Sequence, residues 1–258
     1  MGTKERRQRD RAAREQRFLD CAQELIQRDG LLSLQMSRIA EDCDYAVGTL
    51  YQHFASKEDL LLALATRNCL ERVDLFERAV QWPGPTRERM LAIAIADLMI
   101  IRSQPEFFRV AQYVFTDVIW HAASEPARQR LLDATAPIGK LIEGIAIDAL
   151  RTGDLPPNTG LSPQTLTIGP WTLCMGMHTL VHAEGVLERH DAPEPYRLLI
   201  KNLQHLLNGY GWQPLFDVSD EAAIDAQLAR ISREVFESPA PPLGGAQRKS
   251  LTGSKKDG

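Results

Sequence analysis

Apolar positions recur along this chain at spacings of three and four residues from about residue 15 to residue 212, and no stretch alternates long enough to predict a strand. The expected class is all-α. Phe18, Cys21, Ala22, Leu25 and Ile26 form one stripe ending at Gly30, a helix of about four turns with a glycine suited to the left-handed position after it. Met36, Ile39, Ala40 and Cys43 share a face of a short second helix, and Asp44 supplies the tight turn that follows. Val47 to Phe54 predicts a third helix of about two turns, with Leu50 and Phe54 facing inward. Two short helices across a tight turn make a helix-turn-helix pattern.

Ser56 caps the next helix, with Asp59 at its third position in the manner of a capping box. Leu62, Ala65, Cys69, Val73, Phe76 and Val80 then carry one seam as far as "WPGP" at 82–85, so a single long helix is expected to link two domains. Further helices are expected near 86–103, 106–123, 126–151, 163–188 and 194–210, with Pro105, Pro126 and Pro163 as punctuation. Pro137 and the Gly169–Pro170 pair predict kinks or local breaks, because proline lacks the amide donor and crowds the preceding turn. Ile224, Leu228, Ile231 and Val235 stripe one more helix at 219–238. The expected division is a basic arm at 1–14, a helix-turn-helix domain at 15–65, a helical domain at 66–212, an extra helix within 213–238, and a disordered tail at 239–258.

Composition constrains the partners. The 258 residues hold 30 Lys plus Arg against 34 Asp plus Glu, a net charge of −4, so nucleic-acid binding has to come from a local patch. Residues 1–67 themselves carry as many acids as bases. Cys21, Cys43, Cys69 and Cys174 show neither CxxC spacing nor a disulfide framework, which fits a reducing cytoplasm. The basic N-terminus lacks the apolar segment of a secretory signal, and no apolar run approaches the ~18 residues of a membrane span. A soluble, cytoplasmic protein with no membrane partner is expected.

With Leu50 and Phe54 buried, the third helix leaves Val47, Thr49, Tyr51, Gln52 and His53 outward, with Lys57 just beyond. An α-helix fits the major groove, where Gln addresses adenine, Thr a base edge or thymine methyl, and hydroxyl, His and Lys groups hold phosphates. The N-terminus of the following helix adds an anion site at Lys57. Arg6, Arg7, Arg9, Arg11, Arg14 and Arg17 supply an arm able to reach phosphates or a minor groove. Against this, short helix pairs abound in helical cores that bind nothing; the alternative is an all-helical interaction module whose helix-turn-helix is structural.

The stretch "SLQMSRIAEDCDYAVGTLYQHFASKEDLL" resembles the DNA-binding domain of the tetracycline-repressor (TetR) family. Ile39, Ala40, Gly48, Thr49, Leu50, Tyr51, His53, Phe54, Lys57 and Leu60 match its pattern. The resemblance covers about residues 15–65 and implies that Thr49, Tyr51, Gln52 and His53 face DNA. It also implies that Lys57 grips phosphate and that Ser37 and Arg38 approach the backbone or groove. Gln35, Asp44, Tyr45 and Ala46 depart from the pattern; Tyr45 fits either the small core or the DNA face.

For the second half the resemblance implies an effector pocket between helices and a dimer interface built from the last two long ones. Phe108, Tyr113, Phe115, Trp120, Trp171, Met175 and His178 are the candidate lining, although each aromatic also reads as ordinary core. His178 and His182 stand four apart, with Glu184 or His121 as possible third ligands, but without an adjacent catalytic Glu or a Cys cluster no metal is expected. Nor is a cofactor expected. The sequence shows no paired carboxylates in a cleft context, no nucleophile motif and no phosphate loop, which places an enzyme last. The expectation is a homodimeric repressor released from a near-palindromic double-stranded operator by a small, largely apolar effector.

Overall fold

The computed structural model describes residues 3–183 and 185–244, and among them every regular element is helical. α1 (Thr3–Asp29) starts well before residue 15: the stretch expected as an arm at 1–14 is helical from Thr3 onward. Its Arg, Glu, Gln and Ala are strong helix formers and continue the helix without needing a buried face. α2 (Met36–Asp42) and α3 (Val47–Tyr51) follow. Between them Asp44 adopts φ 60°, the left-handed turn conformation that a short polar residue tolerates. α3 ends at Tyr51, short of the expected Phe54.

α4 (Lys57–Leu70) starts at Ser56, whose hydroxyl accepts the Asp59 amide at 3.1 Å. The expected long helix from here to residue 80 is instead two, α4 and α5 (Val73–Gln81), broken at Glu71–Arg72. The break has a packing reason. Leu60, Leu61, Leu62, Leu64 and Ala65 join the core of α1–α3, whereas Phe76 and Ala79 join a second core with α6 (Thr86–Ser103). The helix expected at 106–123 is likewise divided into α7 (Pro105–Val114) and α8 (Asp117–Ala122), where the Thr116 hydroxyl donates back to the Tyr113 carbonyl at 2.7 Å.

α9 (Glu125–Thr152), α10 (Pro163–His182), α11 (Pro195–Gly209) and α12 (Glu221–Phe236) complete the chain. α9 and α10 run through Pro137 and Gly169–Pro170 as continuous helices, so where a kink or a local break was expected no break occurs. Gly169 serves close packing instead: a Cβ there would collide with the Tyr210 hydroxyl and Leu206. α10 stops at His182, and Glu184 lies outside the described residues.

Val110, Val114, Ile119, Ala123, Ala127 and Leu131 extend the α1–α4 core, so α7, α8 and the start of α9 pack directly on the helix-turn-helix. α12 is integral to the second core through Ile224, Leu228, Ile231, Val235 and Phe236. The Leu243 carbonyl accepts the Tyr196 amide at 3.1 Å, so the part of the expected tail at 239–244 is held against α11; residues 245–258 lie outside the described set. Arg87, 2% exposed, donates to the Gln204 side chain and carbonyl and to the Trp212 carbonyl, at 2.6 to 3.1 Å, anchoring the end of α11 to α6. Burial lowers its pKa to about 10.

Cys21 and Cys43 form a disulfide, with 6.4 Å between their Cα atoms, joining α1 to the residue that closes α2. The sequence carried no sign of this pair, which sits 22 residues apart. Cys69 and Cys174 are free.

Candidate functional site

α3 is held by Leu50, fully buried, and its remaining surface is open. Val47 is 43% and Tyr51 50% exposed, Gln52 is exposed at the C-terminal cap, and Thr49 is half-buried beside them. Ser37 and Arg38 on α2 are exposed as well, with Arg38 paired to Asp29 at 3.5 Å. Lys57 is the first residue of α4, where unpaired backbone amides favour an anion. These residues thus lie exposed or half-buried on α2, α3 and the start of α4.

His53 is not exposed with them. Its side chain is 3% exposed, edge-on to Phe18 at 5.4 Å, with Nδ1 3.6 Å from Glu15 Oε2, beyond hydrogen-bonding range. His53 follows Leu50 by three residues, and with Gln52 still in the right-handed helical region and the Phe54 amide bonded to the Leu50 carbonyl at 3.0 Å, the turn carries it round to the buried side shared by Leu50 and Phe54. Burial, followed by the nearby Arg11 and Arg14, lowers its pKa against the opposing pull of Glu15. Tyr45, which the sequence left open, packs half-buried against the core with its ring 5.2 Å from Phe18 and under the Arg17 guanidinium.

α1 reaches α3 directly. The Arg11 guanidinium donates to the Gln52 carbonyl at 3.1 Å, so the basic N-terminal half of α1 lies along the C-terminal end of α3. Arg6, Arg7 and Arg17 are exposed on the same helix. Two links tie α4 to its surroundings. Arg67 reaches Asp20 and Gln23 on α1, each at 2.6 Å, and the buried Asp59 accepts the amide and hydroxyl of Ser124 at the start of α9.

The candidate effector residues fall in three places rather than around one cavity. Phe108 and His178 meet in the interior with ring centroids 4.8 Å apart. Tyr113 and Trp120 pack on the helix-turn-helix core, and Phe115, 47% exposed, stacks on Trp120 at 5.8 Å. Trp171 is 50% exposed on the outer side of α10, where Met175 is half-buried.

Several buried polar groups among the helices lack hydrogen-bond partners, and Asn68, Arg72 and Asp97 were not singled out by the sequence. Asn68 is 1% exposed with both ends of its amide unpartnered, and buried nitrogens of Arg72, His178 and His182 also have no hydrogen-bond partner. Arg72 stacks on Phe107 at 5.0 Å. Burial lowers the His178 pKa to about 3, with His182 adding to it, and lowers that of His182. Burial raises Asp97 to about 6, opposed by Arg72, and raises Cys174 well above its ordinary value. Asp97 stands in the otherwise apolar run "LAIAIADLMII", and an acid in such a run was the available signal for this region. No helix among the described residues is long and apolar enough to cross a membrane.

Residues 18–64 match the family described as "Bacterial regulatory proteins, tetR family". The chain is 20% identical over 138 residues to the fatty acid metabolism regulator protein of Bacillus subtilis, covering 54% of this chain and 69% of that protein. It is 43% identical over 61 residues to the HTH-type transcriptional repressor KstR of Rhodococcus jostii, covering 24% of this chain and 28% of the repressor. Against KstR of Mycolicibacterium smegmatis it is 28% identical over 144 residues, 55% of this chain and 65% of that one; the chain thus spans less than two thirds of either repressor. Among solved structures, the transcriptional regulator FadR of Bacillus subtilis, in complex with stearoyl-CoA, superposes with a TM-score of 0.58 at 17% identity. That match covers 75% of this chain and 98% of FadR.

Proposed function

The chain is a TetR-family transcriptional regulator, and from that premise we propose that it works as a homodimeric repressor, released from a near-palindromic operator by a small, largely apolar effector. The observation that carries the DNA-binding part is the exposure of Ser37, Arg38, Val47, Tyr51 and Gln52 on the two short helices, with Thr49 half-buried among them and Lys57 at the capped start of α4. In this reading Gln52 and Thr49 address base edges, while Tyr51, Lys57, Ser37 and Arg38 fix the position on phosphates. His53 supports α3 from beneath instead of touching DNA.

The dimer reading draws on α9 and α10, the two long helices of the second half, which leave Leu132, Ile147, Ile168, Trp171 and Leu180 between 41% and 50% exposed. An apolar outer face of this kind favours a second copy of the same helices. Two recognition helices must then sit about 34 to 36 Å apart, or a compatible multiple, to enter successive major grooves. The effector reading draws on Asn68, buried with both ends of its amide lacking a hydrogen bond, and on Arg72, which stacks on Phe107 with buried nitrogens lacking one: polar groups able to anchor a ligand. A ligand favouring a conformation with different helix spacing lowers DNA affinity by its differential affinity for the two conformations.

The test starts with selection of bound sequences from a random duplex pool by the full-length protein, followed by gel shifts with Tyr51→Ala and Lys57→Ala. Loss of affinity in both variants for an enriched, two-fold symmetric site is expected. Failure to enrich any sequence, or unchanged affinity in both variants, overturns the DNA-binding reading and favours the interaction module.

A further inference from the structure

We propose that Asp97, Cys174 and His178 form a metal site inside the helical domain, suited to a borderline divalent ion of the zinc class and independent of the DNA-binding reading. One donor atom of each residue lies within 4.8 Å of the other two. Cys174 and His178 stand four residues apart, so a single face of α10 presents both, and Asp97 meets them from α6. A thiolate, an imidazole nitrogen and a carboxylate oxygen are the ligand set of tetrahedral Zn²⁺, at bond lengths of about 2.0 to 2.3 Å. Those bonds place ligand atoms about 3.5 Å from one another. Drawing the three donors together from their present separation requires modest side-chain rotation.

A second observation points the same way. His178 is 0% exposed and faces Tyr196 Oη with Nδ1 at 3.4 Å, while its Nε2 is buried without any partner. A buried imidazole nitrogen left unpaired marks a missing ligand. The Tyr196 hydroxyl, 3.4 Å from Nδ1, orients the ring beside the cluster, and the ring nitrogen that carries the lone pair is the metal ligand. Charge also balances: a divalent ion between an ionised Asp97 and an ionised Cys174 leaves the buried cluster neutral, while Arg72 acts on Asp97 from the α4–α5 break. The fourth position is open to water or to His182, one turn along α10, whose Nε2 is likewise buried and unpartnered. The histidine pair alone carried no metal signal in the sequence; Cys174 and the distant Asp97 supply the missing donors.

Cobalt titration of the metal-free, full-length protein tests the site. A thiolate-to-cobalt charge-transfer band saturating at one Co²⁺ per chain, and bleached by Zn²⁺, is expected. Cys174→Ser should abolish the band, and Asp97→Asn should weaken Co²⁺ binding at least tenfold with an unchanged circular dichroism spectrum. Absence of the band in the wild-type protein at saturating Co²⁺, its survival in Cys174→Ser, or undiminished affinity in Asp97→Asn overturns the proposal. Should Cys174→Ser fail to fold, Asp97→Asn, which keeps the side-chain shape, decides alone.

Discussion

Asp59, on the first turn of α4, accepts hydrogen bonds from both the backbone amide and the hydroxyl of Ser124, at 2.7 and 2.8 Å. Ser124 in turn caps α9, accepting the Ala127 amide at 3.4 Å. One carboxylate thus fastens the helix that follows the helix-turn-helix to the longest helix of the second half, and it is 4% exposed. Asp59→Ala removes the acceptor of two part-buried donors on Ser124, a loss on the order of 1 to 3 kcal/mol in all. The variant should lose roughly 2 kcal/mol of stability in urea unfolding. A shift in midpoint too small to resolve would show that the two halves are held by apolar packing alone.

His53 makes stability depend on pH in a defined direction. Burial, Arg11 and Arg14 hold its folded pKa below the ordinary histidine value of about 6.5, so the unfolded chain binds the extra proton more readily. A base with a depressed folded pKa contributes stability above its unfolded pKa and loses it as pH falls below about 6.5. Between pH 7.5 and 5 the melting temperature of the wild-type protein should therefore fall further than that of His53→Phe, which keeps a ring against Phe18. Parallel curves for the two proteins would count against a buried, neutral His53.

Much of the DNA-binding half is legible in the sequence because its determinants are local. The Ser56 cap, the left-handed turn at Asp44 and the inward Leu50 and Phe54 each follow from a few neighbouring residues, and the structure places them as read. His53 was misplaced because it was grouped with its neighbour Gln52, although it stands three residues after Leu50 and so shares the buried side of the turn. The α4–α5 break escaped for a different reason: Leu62 through Val80 keep one periodic seam in the sequence, yet the two ends of that seam serve different cores. Asp97, Asn68 and Arg72 gain meaning from what packs opposite them across other helices, and a linear pattern does not contain that information.

The Cys21–Cys43 disulfide closes a 22-residue stretch that contains all of α2. In the chain-entropy account a loop of that length restricts the unfolded state by about 3 kcal/mol. Under non-reducing conditions the wild-type protein should titrate two free thiols after denaturation, those of Cys69 and Cys174. Dithiothreitol should lower its melting temperature, while Cys21→Ser should melt lower from the outset and show no response to the reductant. Four titratable thiols in air-oxidised protein would exclude the bridge.

Arg11 and Lys57 should weaken DNA binding by different routes, and salt dependence separates them. Lys57 is the first residue of α4, and on the proposed reading removing it should cost a phosphate contact, lower affinity on all sequences and reduce the slope of log affinity against log salt by about 1. The Arg11 guanidinium is committed to the Gln52 carbonyl at 3.1 Å, where it satisfies the last turn of a five-residue helix. Arg11→Ala should therefore loosen α3 and lower affinity for the selected site more than for unrelated duplex, leaving the salt slope nearly unchanged. A slope reduced as much by Arg11→Ala as by Lys57→Ala would mean that Arg11 releases Gln52 on DNA and takes a phosphate, and that α1 acts as a contact helix rather than as a brace for α3.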